Sequence, residues 1–284
     1  MLNKTNNWLK VKEKFMISMI WLAALFVALS LFAIVAYIAY KGLGSINWEF
    51  IFDNPSRMGK QGGIFSTIIG TFYLTAVALM ISTPLGVGAA IYLNEYQRRQ
   101  SRFTKVIEMC AEALSGIPSI VFGLFGFVFF VIFLGLGWSV ISGGLTLSLM
   151  ILPTIIRTSQ EAITSVPAEY RENSLALGAT KWQTIVRIIL PSALPGIVTG
   201  VILSIGRSVG ETAAVLLTAG SSLGIPILPT DPARSMAVHL YYLASEGISM
   251  PRAYGTALLL IVIIFMVNYL ARLSLHGFSQ RLKG

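Results

Sequence analysis

Long apolar stretches with few or no charged residues recur from end to end of the chain, and they constrain its fold more than any other feature. A helix needs about 20 apolar residues to cross a hydrocarbon core about 30 Å thick. Six stretches approach or exceed that length: 15–40, 64–93, 114–136, 138–156, 193–217 and 254–273. The sequence therefore predicts an all-α polytopic membrane protein with six transmembrane helices.

The composition excludes the main classes of soluble protein. Of the 284 residues, 55% are hydrophobic and 12% are charged, whereas soluble domains have about 25% charged residues. A soluble enzyme and a disordered chain do not fit these values. A disulfide scaffold is also excluded, because the chain has a single cysteine, Cys110.

The distribution of lysine and arginine predicts the orientation in the membrane, because cytoplasmic loops carry an excess of these residues. Fifteen of the 21 basic residues lie in the two termini and in the connections after the second and fourth spans, and five lie on the opposite side. We therefore expect both termini in the cytoplasm, with tails at 1–14 and 274–284 and a single membrane domain at 15–273. This topology explains the net charge of +9 without a nucleic acid partner.

The cytoplasmic connection at about 157–191 carries signals for two short helices. Ser165 is expected to cap the first helix, because a serine oxygen accepts hydrogen bonds from free N–H groups at a helix start. Pro167 and Glu169 suit its first turn, where a missing N–H does no harm and a carboxylate faces the positive end of the dipole. Gly178 is expected to end this helix.

The second short helix is predicted from Thr180 onward. Thr180 and Gln183 have the spacing of a capping box, with apolar residues following at helical spacing. Pro191 is expected to stop the helix. The resulting helix-turn-helix suits a docking surface for a cytoplasmic protein. A DNA-binding element or a solvated loop is a weaker interpretation, because a recognition helix held between two membrane spans would be unusual.

A motif in this hairpin resembles that of the permease subunits of bacterial ABC importers. The pattern is E-A-A, three residues, G, nine residues, then I-x-L-P. Its fixed positions hold Glu172, Gly178, Ile188, Leu190 and Pro191, and Asn173 and Ser174 stand where the pattern has alanines. The resemblance implies a coupling helix that inserts into a groove of the ATPase subunit, with Glu172 and Gly178 in that contact.

Further stretches resemble the permeases of phosphate-specific importers, and among these the A-type subunit. They are 63–96, GIPSIVFGL at 116–124, LALGATKWQT at 175–184 and GRSVGETA at 206–213. The resemblance implies the type I importer permease fold in the bacterial cytoplasmic (inner) membrane. It also implies a second homologous permease subunit, two copies of a cytoplasmic ATPase that binds ATP and Mg, and an extracytoplasmic phosphate-binding protein.

Arg207 and Glu211 are the charged residues of the fifth predicted span. Because they are four residues apart, we expect them on one face of one helix, where they can pair. An ion at a span centre costs about 2.5 to 3.5 kcal/mol, which favours a site facing a bundle interior or a cavity. Arg207 then offers a planar charged fork to an oxyanion, with Glu211 holding it between transport events. Alternatively, the pair only ties the span to its neighbours. The resemblance favours a role in the substrate path, where phosphate permeases have matching residues.

Arg157 closes the fourth predicted span at its cytoplasmic end. One interpretation is a positive anchor whose guanidinium reaches the lipid headgroups. Phosphate permeases also have an arginine at this place, so the resemblance implies that Arg157 is a second residue of the substrate path.

No motif predicts catalysis, a metal site or a cofactor in this chain. It has no G-x-x-x-x-G-K-[ST] phosphate-binding loop, so we expect ATP hydrolysis on a separate subunit. The favoured hypothesis is a permease subunit of an ATP-driven importer of inorganic phosphate. A permease for another oxyanion, such as molybdate, sulfate or phosphonate, is an alternative. A secondary transporter or channel is a further alternative, which the hairpin disfavours.

Overall fold

The computed structural model describes residues 2–96 and 102–281, with side chains at 8–96 and 105–273. Within these ranges the chain is mostly helical. Its strands are limited to a two-residue antiparallel pair, β1 (Pro55–Ser56) and β2 (Gln61–Gly62). The prediction of an all-α membrane protein is confirmed, with this small hairpin as an addition.

The α-helices of the described part differ widely in length, from 4 to 41 residues. In chain order they are α1 (Leu2–Gly42), α2 (Trp48–Phe52), α3 (Phe65–Ile91), α4 (Arg102–Gly116), α5 (Ser119–Gly126), α6 (Val140–Thr164), α7 (Ala168–Ala176), α8 (Lys181–Thr184), α9 (Leu190–Val209), α10 (Ala213–Thr218), α11 (Met236–Ser245) and α12 (Met250–Arg281). Turns of π-helix extend α3 and α5 and join α8 to α9; they are Tyr92–Tyr96, Phe127–Phe133 and Ile185–Ile189.

Five helical segments of the described part are long and apolar enough to cross a membrane, and the bent pair α4–α5 makes a sixth if it is one span. The two helices of that pair meet at an angle of 102°. The sequence predicts that the third span starts at residue 114, whereas α5 starts at Ser119 in a new direction. Pro118 lies at this break, where proline removes an N–H donor and disfavours a helical conformation of the preceding residue.

The fourth and fifth spans also differ from their predicted limits. Helix α6 continues to Thr164, beyond the predicted end at 156. The prediction of one helix over 193–217 is wrong, because α9 ends at Val209 and α10 starts at Ala213. Helix α10 packs against α5, where a Cβ added to Gly123 would lie 2.9 Å from Cα of Ala214. This close packing lies directly after the break.

Two predicted helix limits in the hairpin are wrong as well. Ser165 ends α6 and its hydroxyl donates to the carbonyl oxygen of Ala162, while Pro167 occupies the N-cap position of α7. The second short helix does not stop at Pro191, because α8 continues through the π-helical turn into α9. Pro191 lies in the first turn of α9, next to this wider turn, and is tolerated there.

Helix α6 is the central helix of the bundle. It packs most extensively against α3 and then against α9. Leu147, Ile151 and Ile155 of α6 are fully buried, together with Leu74 of α3. The hairpin of α7 and α8 extends from the end of this bundle at which α6 ends and α9 begins.

Helix α1 lies apart from this core. It packs along α12, and Tyr37 and Tyr254 form an edge-to-face ring contact with centroids 5.9 Å apart. Nearly all of its described side chains are exposed. Both predicted tails are partly helical, since α1 begins at Leu2 and α12 continues to Arg281. Among the basic residues used to predict topology, Arg98, Arg99 and Lys283 lie outside the described residues, and the orientation stays a prediction.

Candidate functional site

Local interactions shape the hairpin of α7 and α8 as the sequence predicts. In the capping box, Gln183 N donates to Oγ1 of Thr180 over 3.3 Å and Thr180 N donates to Oε1 of Gln183 over 2.8 Å. Gly178 has a φ of +84°, a conformation that favours glycine. Glu169 lies in the first turn of α7. The predicted capping box, the predicted helix end at Gly178 and the predicted place of Glu169 in the first turn are therefore confirmed.

The inner side of the hairpin is closed by a pair of hydroxyl groups. Oγ of Ser174 and Oγ1 of Thr184 are 2.8 Å apart, and both residues are buried. Ser174 stands where the importer motif has an alanine, so it is small enough for close helix contact and adds a hydrogen bond. The hairpin is therefore held in shape by its own residues.

The outer side of the hairpin is exposed. Glu172, Asn173 and Gly178 are all exposed, as expected of residues that contact a partner. Large apolar side chains share this exposure, and the most exposed of them are Leu177 at 90% and Trp182 at 61%. Exposed apolar surface next to charged groups is typical of protein interaction sites.

The last three motif residues have a different environment. Ile188, Leu190 and Pro191 are half-buried where the π-helical turn meets α9. Leu190 packs against an apolar cluster that includes Ile189 and Ala162. The motif is thus divided between an exposed surface around Glu172 and an anchor that fixes the hairpin to the bundle.

Arg207 and Glu211 do not form the expected pair. Arg207 lies in the last turn of α9, whereas Glu211 lies in the break before α10. Their charged groups do not come within the 4.0 Å of an ion pair, because the helix ends between them. Both residues are half-buried. The neighbouring Ser208 is buried, and its hydroxyl bonds to that of Thr75 on α3 over 3.3 Å.

Arg157 lies within α6, about two turns before the helix ends at Thr164. Its guanidinium is 3.9 Å from a carboxylate oxygen of Glu112 and 3.7 Å from one of Glu161. The side chain is 65% exposed, so these ion pairs contribute little stability. Arg157 also lines a cleft of about 450 Å³, together with Asn94, Glu108, Gln160, Glu161, Thr164 and Ser165.

The structure does not bring Arg157 and Arg207 together. Gly200 of α9 faces Thr158 of α6, so Arg157 is at the level of Gly200. Arg207 lies seven residues further along α9, which corresponds to about 10 Å at 1.5 Å per residue. The two arginines therefore lie at different depths of the bundle.

The sequence does not predict the partly buried ion pair between Glu95 and Arg171. Nη2 of Arg171 is 2.8 Å from Oε1 of Glu95, and the carboxylate side chain is only 8% exposed. The residues are far apart in sequence, and neither has a local partner that would signal the pair. In the sequence, residues 94–96 are notable only because they end a stretch that resembles phosphate permeases.

Arg234 is a buried arginine in the connection between α10 and α11. Nε of Arg234 donates to the carbonyl oxygen of Ser221 over 2.9 Å, and its guanidinium lies 4.7 Å from the ring centre of Tyr242. Nη1 of Arg234 is 3.4 Å from Nδ1 of His239. Burial, with Arg234 and Arg252 nearby, lowers the pKa of His239 to about 4. His239 is therefore a neutral packing residue at physiological pH.

The chain resembles known membrane transport proteins over most of its length. It is 34% identical over 279 residues to the probable ABC transporter permease protein YqgI of Bacillus subtilis (strain 168), covering 93% of this chain and 95% of that protein. It is 38% identical over 213 residues to the phosphate transport system permease protein PstA 1 of Mycobacterium tuberculosis (strain H37Rv), covering 74% of this chain and 68% of that protein.

A solved structure supports the predicted fold. A chain in the crystal structure of a bacterial alginate ABC transporter, in complex with an alginate pentasaccharide-bound periplasmic protein, matches with a TM-score of 0.65. The match covers 97% of each chain at 16% identity and concerns the fold alone. The prediction of a type I importer permease fold is confirmed. Residues 82–284 match the family described as "Binding-protein-dependent transport system inner membrane component". The chain therefore belongs to this family of membrane permease subunits of ABC importers.

Proposed function

We propose that the chain is a permease subunit of an ATP-driven importer that carries inorganic phosphate across the bacterial cytoplasmic membrane. The observation that carries the proposal is the similarity to relatives named as phosphate transport permeases. A cationic residue alone would not distinguish phosphate from molybdate, sulfate or phosphonate. The exposed, preformed hairpin supports ATP-driven transport over a secondary transporter or channel, because it offers a docking surface for an ATPase.

The proposed complex has four kinds of component. This chain pairs with a second homologous permease, and two copies of a cytoplasmic ATPase bind ATP and Mg and dock on the hairpins. An extracytoplasmic binding protein delivers phosphate, in keeping with the description of the family as binding-protein-dependent. Both termini face the cytoplasm, as the excess of basic residues on that side predicts.

Arg207 is the residue that we expect to contact the anion. The negative end of the α9 dipole favours a cation in this last helical turn. Since Glu211 does not neutralise the guanidinium, its planar fork is available to two oxygen atoms of a phosphate. Glu211 lies in the adjacent break, outside the reach of an ion pair with Arg207. Arg157, which pairs with Glu112 and Glu161 at the cleft near the hairpin, is the second residue that we propose for the substrate path.

The experiment measures uptake of radiolabelled phosphate into proteoliposomes that hold the purified complex and internal ATP, with loaded binding protein outside. Arg207→Lys keeps the charge but loses the fork, so we expect uptake to fall about tenfold or more, as for loss of a charge-assisted hydrogen bond. Arg57→Lys, in the turn between β1 and β2, makes the same change at an exposed arginine and should leave uptake unchanged. Immunoblotting verifies that each complex assembles.

Three results would contradict the proposal. Parental uptake by Arg207→Lys and Arg207→Gln would show that Arg207 does not contact the anion. Phosphate uptake without ATP would indicate a secondary transporter or channel. Stimulation of ATP hydrolysis by a binding protein loaded with sulfate or molybdate, but not with phosphate, would identify another oxyanion importer.

A further inference from the structure

The end of the extended α3 contacts three other helices, α6, α7 and α8. Three consecutive residues, Asn94, Glu95 and Tyr96, make these contacts, and we call them the α3 junction. Nδ2 of Asn94 donates to the carbonyl oxygen of Gln160 on α6 over 3.0 Å. Glu95 pairs with Arg171 on α7, and the ring of Tyr96 lies 5.0 Å from Nζ of Lys181 on α8. Both helices of the hairpin are thus attached to α3 at adjacent residues.

The contact between Glu95 and Arg171 is the strongest of these attachments. Nε and Nη2 of Arg171 approach the same carboxylate oxygen at 2.9 and 2.8 Å. The remaining donors bond to the carbonyl oxygens of Val166 and Ile163, at the end of α6, each over 2.9 Å. One guanidinium therefore links α7, α6 and α3. A pair this close and this little exposed resists separation more than a surface ion pair does.

The hairpin also has internal contacts that do not involve this pair. The hydroxyl contact between Ser174 and Thr184 and the capping box of Thr180 hold α7 against α8 without Glu95. Loss of the Glu95 carboxylate would leave a folded hairpin that is less firmly attached to α3. This separation of roles distinguishes a mechanical link from a structural support.

We propose that the ion pair between Glu95 and Arg171 transmits movement of the hairpin to α3. A displacement of the hairpin by its partner then displaces the α3 junction, and α3 carries the movement along its packed interface with α6. Arg171 and Glu95 are positioning residues, since neither contacts the transported anion. The inference rests on the proposed function for its transport assay, but the movement itself is measurable without any cargo.

The first test compares coupling in the reconstituted complex. Glu95→Gln and Arg171→Gln each remove one charge of the pair, and Glu13→Gln makes the matched change at an exposed carboxylate of α1. We expect the ATPase to co-purify with every variant. Phosphate uptake per ATP hydrolysed should fall about tenfold for the two pair variants, within the usual range of coupling between sites. It should be unchanged for Glu13→Gln.

The second test measures the movement by pulsed electron paramagnetic resonance. Spin labels at Ala168→Cys on α7 and Met80→Cys on α3, both exposed positions, are placed in a Cys110→Ser background of the complex. In the parental chain we expect one narrow distance distribution that ATP does not change, because α7 and α3 move together. With Glu95→Gln, the distribution should broaden, and ATP should shift it.

Distance distributions that match in the parental and Glu95→Gln chains, with and without ATP, would overturn the inference. So would loss of the ATPase from both pair variants, since the pair would then only support the docking surface. A complex that imports another anion would refute the proposed cargo and leave the distance result intact. The two failures are therefore distinguishable.

Discussion

Gly196 and Gly200 in α9, and Gly206 and Gly210 at its end, are two glycine pairs with the same spacing in the sequence but different surroundings in the structure. A Cβ added to Gly196 would lie 2.5 Å from Cβ of Ala162, and one added to Gly200 would lie 2.7 Å from Cβ of Thr158. At Gly206, the first glycine of the second pair, an added Cβ would meet nothing within 4 Å. Only the first pair provides a close approach between α9 and α6. We therefore expect Gly200→Ala and Gly206→Ala to have opposite effects on stability.

The expected magnitudes follow from packing and helix propensity. Overpacking a close interface costs about 1 to 3 kcal/mol, while alanine in a helix interior is favoured over glycine by about 1 kcal/mol. Gly200→Ala should therefore destabilise the folded chain by about 1 to 2 kcal/mol. Gly206→Ala should stabilise it by up to about 1 kcal/mol, because nothing opposes the gain in propensity.

Thermal unfolding of the purified subunit in detergent, followed by intrinsic fluorescence, measures both effects. In this preparation no companion subunit packs against Gly206. Thr158→Ala in the Gly200→Ala background should restore part of the lost stability, because it removes Oγ1 and Cγ2 beside the new methyl group. Equal changes in Tm for the two glycine variants would refute the assignment of the close approach to Gly200. A failure of Thr158→Ala to restore any stability would place the strain elsewhere.

The folded state should lose stability below neutral pH through His239. The pKa of His239 falls from 6.5 to about 4 on folding, so the unfolded chain binds the proton first as the pH falls. A contribution of about 3 kcal/mol to the free energy of unfolding, fully present above pH 6.5, is therefore lost as the pH falls towards 4. His239→Gln should reduce the pH dependence of Tm; an unchanged slope would contradict this expectation. In the hairpin, an added Cβ at Gly178 meets nothing within 4 Å, so Gly178→Ala should cost only the backbone strain of its φ of +84°, about 1 kcal/mol. A loss above about 3 kcal/mol in thermal unfolding would show that Gly178 is packed.

Features that depend on neighbouring residues were predictable from the sequence. The capping box of Thr180 and Gln183 needs only the backbone of one helical turn, and it is present. Gly178 takes the turn conformation expected of it. The long apolar stretches also predicted most of the membrane helices, because helix length and hydrophobicity are properties of a continuous segment.

Features that depend on packing between distant segments were not predictable. The stretch 193–217 is apolar throughout most of its length, and Gly210, the C-cap of α9, does not by itself distinguish a helix end from a packing glycine. The break is accompanied by close contact of α10 with Gly123 of α5, a distant segment of the chain. It also separates Arg207 from Glu211, so a rule that assumes one continuous helix gave the wrong geometry for the candidate site.

The ion pair between Glu95 and Arg171 could not be predicted for a related reason. Periodicity identifies partners one helical turn apart, whereas these residues belong to different helices joined by α4, α5 and α6. Pro191 illustrates the converse error. A proline in a sequence predicts the end of a helix, but the helix can continue where the turn before the proline is π-helical.

Helix α1 is made before α12, along which it packs. Until α12 has been synthesised, α1 must be stable in lipid without that neighbour. A helix meets this demand because its backbone hydrogen bonds are internal, and the hydroxyl of Ser30 is likewise satisfied by the carbonyl oxygen of Phe26 over 2.8 Å. Insertion of α1 and its packing along α12 are thus separate events, and the second can occur only after α12 has been made.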